Sequence, residues 1–284
     1  MNQFLIQSPV GKICVNIIGN EYLPELYFLH GGMGLGSDSL QPYFENLSNV
    51  FRCIFIDLPG CGNSENSIDS IYSFETFNTV IISVLENVSK NNTRGIFGHS
   101  LGGMIALNHL GSNLNQFKFG ILSNTAMNSK WREISKDNLS KIMNEKIKSA
   151  IADYQSDSDS SAKLQNLATS YAPLYFPELL LVESEKIMSS FTYRVDTISY
   201  LGDYIYPNLE LSNQVKNISV PKLQLCGNQD LVVPVFCQDE IDLLLASPKS
   251  ILKFDAGHFP FITKTNEVIS GITTWWNNTK EVLK

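Results

Sequence analysis

The sequence predicts an α/β protein, with a mostly parallel eight-stranded sheet, helices on both of its faces and one helical insertion. Short apolar runs typical of strands alternate with segments of helical spacing, and this alternation is typical of right-handed strand–helix–strand units. A third observation is that residues 125–215 contain no run of the buried-strand type. We therefore predict a core formed by residues 1–124 and 216–284, and a helical cap formed by residues 125–215.

The composition is that of one large globular domain with an insertion. The chain has 284 residues, of which 43% are hydrophobic, and a formal net charge of −7. It has no block rich in lysine and arginine, so we expect no nucleic-acid partner. No window approaches 18 uninterrupted apolar residues, so we also expect no membrane span. No feature predicts the oligomeric state.

The N-terminus and the cysteines predict a cytoplasmic chain. Residues 1–10 lack a basic start, and polar residues interrupt their apolar ones, so they are not a signal peptide. The five cysteines are odd in number and include no C-x-x-C pair, which favours buried, reduced thiols. No cysteine–histidine cluster is present, and we expect neither a metal nor a cofactor.

Each half of the predicted core contributes strands and helices. A hairpin followed by buried apolar runs gives strands at residues 4–7, 12–18, 25–30, 51–57, 95–97, 117–124, 221–226 and 250–255. Helical spacing predicts core helices at residues 40–47, 73–89, 104–110, 239–246 and 265–282. Within the cap we expect helices at residues 130–153, 178–190 and 190–206, with a polar turn at 156–161 and a kinked aromatic segment at 171–177.

The pattern G-x-S-x-G occurs at residues 98–102, between a predicted strand and a predicted helix. In that context it indicates a nucleophile elbow centred on Ser100. A serine on such a sharp turn needs glycine two residues to either side, because its backbone is strained and crowded. The helix behind it directs backbone N–H groups and its positive dipole end at the site.

A base and an acid follow later in the chain, each after a strand. Asp230 follows the next-to-last strand and His258 the last, at the sheet edge where such folds bind ligands. His258 would take the proton of the Ser100 hydroxyl, and Asp230 would hold the imidazole tautomer. Asp255 is a rival acid, but it lies three residues before His258, too close in an extended segment to reach Nδ1. We therefore favour Asp230.

Five motifs resemble those of the α/β-hydrolase superfamily, in its capped branch of proline iminopeptidase-like and epoxide or ester hydrolase-like enzymes. They are H-G-G-M-G at residues 30–34, D-L-P-G-C-G-N-S at 57–64, G-H-S-L-G-G at 98–103, G-N-Q-D at 227–230 and G-H-F-P at 257–260. The resemblance covers nearly the whole chain. It implies the α/β-hydrolase fold and an oxyanion hole formed by the backbone N–H groups of Leu101 and Gly32.

Other polar residues near these motifs receive structural roles. We expect His30 to order its turn by hydrogen bonding, His99 to be structural and Asp57 to cap the loop after its strand. His109 has no evident role. Asn124, after the strand that precedes the cap, is a candidate for lining the pocket.

The expected function is that of a serine hydrolase. It would cleave an ester, thioester or amide of a small to medium acyl substrate through an acyl-enzyme intermediate. Serine at the elbow argues against dehalogenase or epoxide hydrolase chemistry, in which the nucleophile is aspartate. Aromatic residues of the cap are expected to line an apolar pocket. The candidates are Trp131, Tyr171, Tyr175, Phe176, Phe191, Tyr193, Tyr200 and Tyr204.

Three alternatives stay open. A proline iminopeptidase-like aminopeptidase would bind a free amine through cap carboxylates such as Glu183, Glu185 or Asp203. Those peptidases usually have G-G-S-W-G at the elbow, whereas G-H-S-L-G here resembles esterases and carbon–carbon bond hydrolases. An acyltransferase or thioesterase acting on a carrier-bound acyl chain would have the same triad, and a ligand-binding homologue without catalysis would use the same fold.

Overall fold

The computed structural model describes residues 2–112, 114–246 and 248–283. Its centre is one eight-stranded sheet, which confirms the predicted fold class. The strands are β1 (Asn2–Ser8), β2 (Gly11–Ile18), β3 (Glu25–Leu29), β4 (Arg52–Ile56), β5 (Arg94–His99), β6 (Phe119–Ser123), β7 (Lys222–Gly227) and β8 (Lys249–Phe254). Their order is β1-β2-β4-β3-β5-β6-β7-β8. The pairs β1–β2 and β2–β4 are antiparallel and all others are parallel, so the carboxyl ends of β3 to β8 share one edge.

Helices cover both faces of the sheet and fill the connection between β6 and β7. The α-helices are α1 (Gln41–Phe44), α2 (Phe74–Val88), α3 (Leu101–Gly111), α4 (Trp131–Ile142), α5 (Glu145–Ser156), α6 (Ser161–Ser170), α7 (Ala172–Tyr175), α8 (Leu181–Ser190), α9 (Ile198–Tyr200), α10 (Ser212–Asn217), α11 (Phe236–Leu244), α12 (Pro260–Thr263) and α13 (Thr265–Thr279). Short 3₁₀ segments occur at Ser37–Ser39, Glu45–Asn49 and Lys280–Leu283, and a π-helical turn at Leu201–Ile205.

The two faces of the sheet bury separate apolar layers. Side chains alternate along β3, so that Tyr27 and Leu29 pack towards α2 and α3 while Phe28 packs towards α13. On the second face, Phe28 stacks on Phe55 with ring centroids 4.5 Å apart and contacts Phe97 at 5.0 Å. All residues of β3, β4, β6 and β7 are buried. The carboxyl ends of these strands therefore rest on a closely packed platform.

A buried ion pair lies at the opposite, amino end of the central strands. Glu25 is fully buried and accepts a hydrogen bond of 2.6 Å from Nη1 of Arg52. The same carboxylate accepts from the hydroxyls of Tyr27 and Ser89, each at 2.8 Å, and from the backbone N–H of Lys90 at 2.7 Å. Its charge is compensated by this set of donors, which joins β3, β4 and the end of α2.

The helical segment between β6 and β7, residues 124–221, differs from the prediction in several places, and its helices α6 and α10 were not predicted. The helix predicted over 130–153 is broken into α4 and α5, because the side chain of Asn144 caps α5 by accepting the N–H of Ile147 at 3.0 Å. The helix predicted over 190–206 begins only at Ile198. The backbone before it is held against the core, since the N–H of Arg194 donates to the carbonyl of Gly34 at 2.9 Å.

All five cysteines are free and buried. Across the part of the chain that the structure describes, no helix has the length and apolar character needed to cross a bilayer.

Candidate active site

Ser100 occupies a strained turn between β5 and α3. Its backbone lies at φ 52° and ψ −116°, a region that residues other than glycine rarely adopt. A Cβ on Gly98 would clash with the backbone of Gly102, and a Cβ on Gly102 would clash with the carbonyl oxygen of Leu29. The glycines of G-x-S-x-G are therefore required by close backbone packing, and α3 begins directly after the serine.

Asp230 and His258 meet beyond the ends of β7 and β8. Nδ1 of His258 lies 2.7 Å from Oδ2 of Asp230, and both residues are buried. Oδ1 of Asp230 accepts the backbone N–H groups of Val232 and Val233 at 2.8 and 2.9 Å. The rival Asp255 is exposed and accepts a hydrogen bond from Nε2 of Gln229 at 2.5 Å. The structure thus brings Asp230, and not Asp255, to the imidazole.

Asn124 was a candidate for lining the pocket, but it is not among the residues that line the cavity. The residue is buried, and its Nδ2 donates to Oδ2 of Asp230 at 2.7 Å and to the carbonyl of Gly257 at 3.4 Å. Its backbone has φ 45°, a left-handed conformation that asparagine tolerates well. Asn124 therefore holds the carboxylate of Asp230 in place by a hydrogen bond. An asparagine directly after a parallel strand was the only sequence signal for this role.

The loop after β3 carries Gly32 to the side chain of Leu101. A Cβ on Gly32 would lie 3.5 Å from Cβ of Leu101, so these two residues adjoin at the start of α3. His30 orders this loop as predicted. Its Nδ1 donates to the carbonyl of Gly31 at 2.8 Å, and its Nε2 accepts the N–H of Leu58 at 3.0 Å. Burial lowers the pKa of His30, in agreement with a neutral ring that serves as donor and acceptor.

Asp57 caps the loop after β4, also as predicted. Its carboxylate accepts the backbone N–H of Ser37 at 2.7 Å and that of Asn63 at 2.9 Å. These bonds fasten the glycine-rich loop after β3 to the loop after β4, so both loops are fixed at the edge of the sheet that carries Ser100.

His99 and His109 have structural surroundings. Nε2 of His99 donates to the carbonyl oxygen of His258 at 3.0 Å. Burial lowers the pKa of His99 well below its ordinary value, so the ring is neutral and holds the loop of His258 by this bond. His109 lies between Asn78 and Gln116, at 2.8 Å from each, and burial lowers its pKa to about 4.

A cavity of about 300 Å³ extends from Ser100 and His258 into the helical segment. This volume is at the small end of the range of ligand sites. Among the described residues that line it there is no aspartate, glutamate, lysine or arginine, and His99 and His258 are its imidazole side chains. The lining from the segment comprises Trp131, Ser135, Leu139, Tyr171, Leu174, Tyr175, Met188, Tyr193, Ile198, Leu201, Gly202 and Tyr206.

Four of the eight aromatic candidates from the sequence therefore line the cavity, namely Trp131, Tyr171, Tyr175 and Tyr193. The other four do not, and Tyr206 was missed. The helical segment also contacts the loop of the imidazole directly. The backbone N–H of His258 donates to the backbone carbonyl of Tyr175 at 2.8 Å, and the hydroxyl of Tyr175 donates to Sδ of Met33 at 3.0 Å.

A doubly wound sheet with a strained serine turn and an acid–imidazole pair at its carboxyl edge defines an α/β hydrolase. The chain belongs to the α/β hydrolase fold family, whose profile matches residues 24–265. The predicted superfamily and the prediction of a hydrolytic enzyme are thereby confirmed.

Curated relatives and solved structures agree with this membership. The chain is 28% identical over 250 residues to a pimeloyl-[acyl-carrier protein] methyl ester esterase of Wigglesworthia glossinidia brevipalpis, covering 84% of this chain and 88% of the relative. It is 25% identical to the protein of the same name from Vibrio campbellii, covering 85% and 90%. An esterase from Exiguobacterium antarcticum shares the fold with a TM-score of 0.76 at 18% identity, covering 96% of this chain and 99% of that one. The enol-lactonase from Burkholderia xenovorans has a TM-score of 0.74 at 16% identity, covering 96% and 100%.

Proposed function

We propose that this chain is a serine esterase that acts through an acyl-enzyme, with Ser100 as nucleophile, His258 as base and Asp230 as the orienting acid. The observation that carries this proposal is the 2.7 Å bond between Nδ1 of His258 and the buried Asp230, beside a cavity that both Ser100 and His258 line. Because Nδ1 donates to Asp230, the lone pair of His258 is on Nε2, the nitrogen left to act as base.

The reaction would proceed in two halves. Nε2 of His258 takes the proton of the Ser100 hydroxyl as its oxygen attacks the ester carbonyl, and the same proton then goes to the departing alcohol. Backbone N–H groups of Gly32 and Leu101 would donate to the oxyanion, where one such donor is worth about 3 kcal/mol of barrier. Water, deprotonated by His258, then releases the acid and restores Ser100.

The cavity favours an uncharged, apolar ester as substrate. Its described lining has no aspartate, glutamate, lysine or arginine, and a charged group held there would lose its hydration without a counterion of those types. The carboxylates considered for an aminopeptidase lie elsewhere. Glu183 and Asp203 are exposed, and Glu185 forms an ion pair with Lys146. Without a carboxylate at the cavity, a free amino group has no partner, so we favour the esterase over the aminopeptidase.

We further propose that residues 125–215 act as the cap that selects the acyl group. The names of the relatives suggest a specific candidate, the methyl ester of a pimeloyl chain held on an acyl-carrier protein. The apolar cavity supports it, since a methyl ester end is small and uncharged. Simple esters of graded chain length are the second candidate class.

Labelling with a fluorophosphonate tests the nucleophile. We expect wild-type protein to be labelled at Ser100 and Ser100→Ala to be unlabelled, with kcat lower by about 10⁶-fold. The exposed Ser189 provides a matched control, since Ser189→Ala should keep both labelling and kcat. An unlabelled wild-type protein with an intact fold would instead support a ligand-binding homologue.

A substrate panel tests the class of bond. It contains p-nitrophenyl esters of increasing length, the methyl ester of a pimeloyl carrier protein, and prolyl naphthylamide. We expect turnover of esters and none of the naphthylamide. Cleavage of prolyl naphthylamide without ester cleavage would overturn the esterase in favour of an aminopeptidase.

A further inference from the structure

Tyr206 is placed by an uncommon piece of helix. The turn Leu201–Ile205 is π-helical, and the N–H of Tyr206 donates to the carbonyl of Leu201, five residues earlier, at 2.9 Å. Such π-turns are rare and occur frequently at functional sites. The extra residue in the turn changes the direction of the side chain that follows, compared with a regular α-helix.

The hydroxyl of Tyr206 lies against the loop that carries Gly32. It fills the position that a Cβ on Gly32 would take, and Cβ of Leu101 is 3.5 Å from that same position. Tyr206 also lines the cavity together with Ser100 and His258. Its hydroxyl is therefore next to both residues whose N–H groups we assign to the oxyanion hole.

The ring of Tyr206 is held, while its hydroxyl is not engaged. The ring packs edge-to-face with Trp131, with centroids 5.5 Å apart and an interplanar angle of 82°. The Tyr206 hydroxyl makes no hydrogen bond to any residue in the described ranges of the chain, unlike the Tyr175 hydroxyl, which is bound to Met33. A phenol fixed at a reaction site with a free O–H is available to a substrate oxygen.

We propose that the Tyr206 hydroxyl donates a third hydrogen bond to the substrate carbonyl oxygen, strengthening as that oxygen becomes an oxyanion. This inference rests on the proposed esterase function. No proton is transferred in this step, since the O–H remains on the tyrosine throughout. Burial raises the pKa of Tyr206, so the hydroxyl stays protonated over the working pH range. Gly32 is then required because any side chain there would displace this donor.

The variant Tyr206→Phe removes the hydroxyl and keeps the ring against Trp131. We expect kcat to fall by about 10²-fold while KM changes by less than about twofold, because the bond to the oxyanion of the transition state is much stronger than the bond to the carbonyl of the bound substrate. The rate at which a fluorophosphonate modifies Ser100 should fall in parallel, since that attack also develops charge on oxygen. Tyr204→Phe is the matched control. Tyr204 is 60% exposed, so this variant should leave both kcat and the rate of labelling unchanged.

Each outcome decides between the two proposals. If the wild-type protein is labelled, and Tyr206→Phe has both a lower kcat and a slower rate of labelling, the donor role is supported. Wild-type labelling with an unchanged Tyr206→Phe, or with a change in KM alone, overturns the donor role and leaves the esterase standing. A wild-type protein that is neither labelled nor active on any ester overturns both.

Discussion

Replacing Asp230 by asparagine tests the role proposed for its carboxylate through two quantities, the free energy of unfolding and kcat. The carboxylate accepts from four donors: His258 and Asn124 at Oδ2, and the N–H groups of Val232 and Val233 at Oδ1. An amide presents one oxygen and one NH₂ group, so in either orientation two of these buried donors face another donor. A buried unsatisfied donor costs about 1–3 kcal/mol, so we expect the free energy of unfolding to fall by about 2–6 kcal/mol.

Asp230→Asn should also lower kcat strongly. With an amide in place of the carboxylate, His258 loses both its orientation and the stabilisation of its imidazolium, and the comparable change in a known triad lowers kcat by about 10⁴-fold. That factor corresponds to about 5 kcal/mol of barrier. Steady-state ester hydrolysis gives kcat, and urea unfolding followed by circular dichroism gives the free energy of unfolding, both at 25 °C where the variant is folded.

Asp255→Asn is the matched control for this experiment. Asp255 is exposed, so its substitution should leave kcat within about twofold and the free energy of unfolding within about 0.5 kcal/mol. The assignment is refuted if Asp230→Asn keeps its activity while Asp255→Asn loses it. Loss of activity in both variants, with both folded, would contradict the claim that only Asp230 acts on the imidazole.

Two further predictions concern stability. Glu25→Gln leaves Arg52 as a buried charge without its counterion and should lower the free energy of unfolding by about 3–5 kcal/mol without changing kcat in the folded fraction, whereas Glu65→Gln, in an exposed pair, should cost less than about 1 kcal/mol in the same urea titration. The pKa of His109 is lowered from 6.5 to about 4, so the unfolded chain binds more protons between these values and stability is lost as pH falls through that window, by about 3 kcal/mol in total. His109→Gln should flatten the dependence of stability on pH between 6.5 and 4, and an unchanged slope would contradict this origin.

Local patterns in the sequence were sufficient to predict the core of the fold. The buried strands read as continuous apolar runs, and G-x-S-x-G between a strand and a helix located Ser100. Parallel strands bring their carboxyl ends to one edge, so the positions of Asp230 and His258 after two strands were enough to expect them together. That expectation depended on topology, since open α/β sheets place their ligand sites at the carboxyl ends of the strands.

The helical segment was predicted less well, because its structure depends on contacts with the core. Nothing local to Arg194 indicates that its N–H binds the carbonyl of Gly34 and prevents a helix there. The position of the Tyr206 hydroxyl depends on a π-turn and on a glycine 174 positions earlier in the chain. Asn124 was misplaced because its partner, Asp230, is 106 residues away.

Two backbone hydrogen bonds join the helical segment to the loops that contain His258 and Gly34. The carbonyl of Tyr175 accepts a hydrogen bond from the backbone N–H of His258. The backbone N–H of Arg194 donates to the carbonyl of Gly34, two residues from Gly32. A substrate too bulky for the cavity would have to displace the segment, and both loops would then lose these bonds. Such a substrate could bind while the imidazole loop and the Gly32 loop stay loose, so selection by size would be expressed in the rate of turnover more than in affinity.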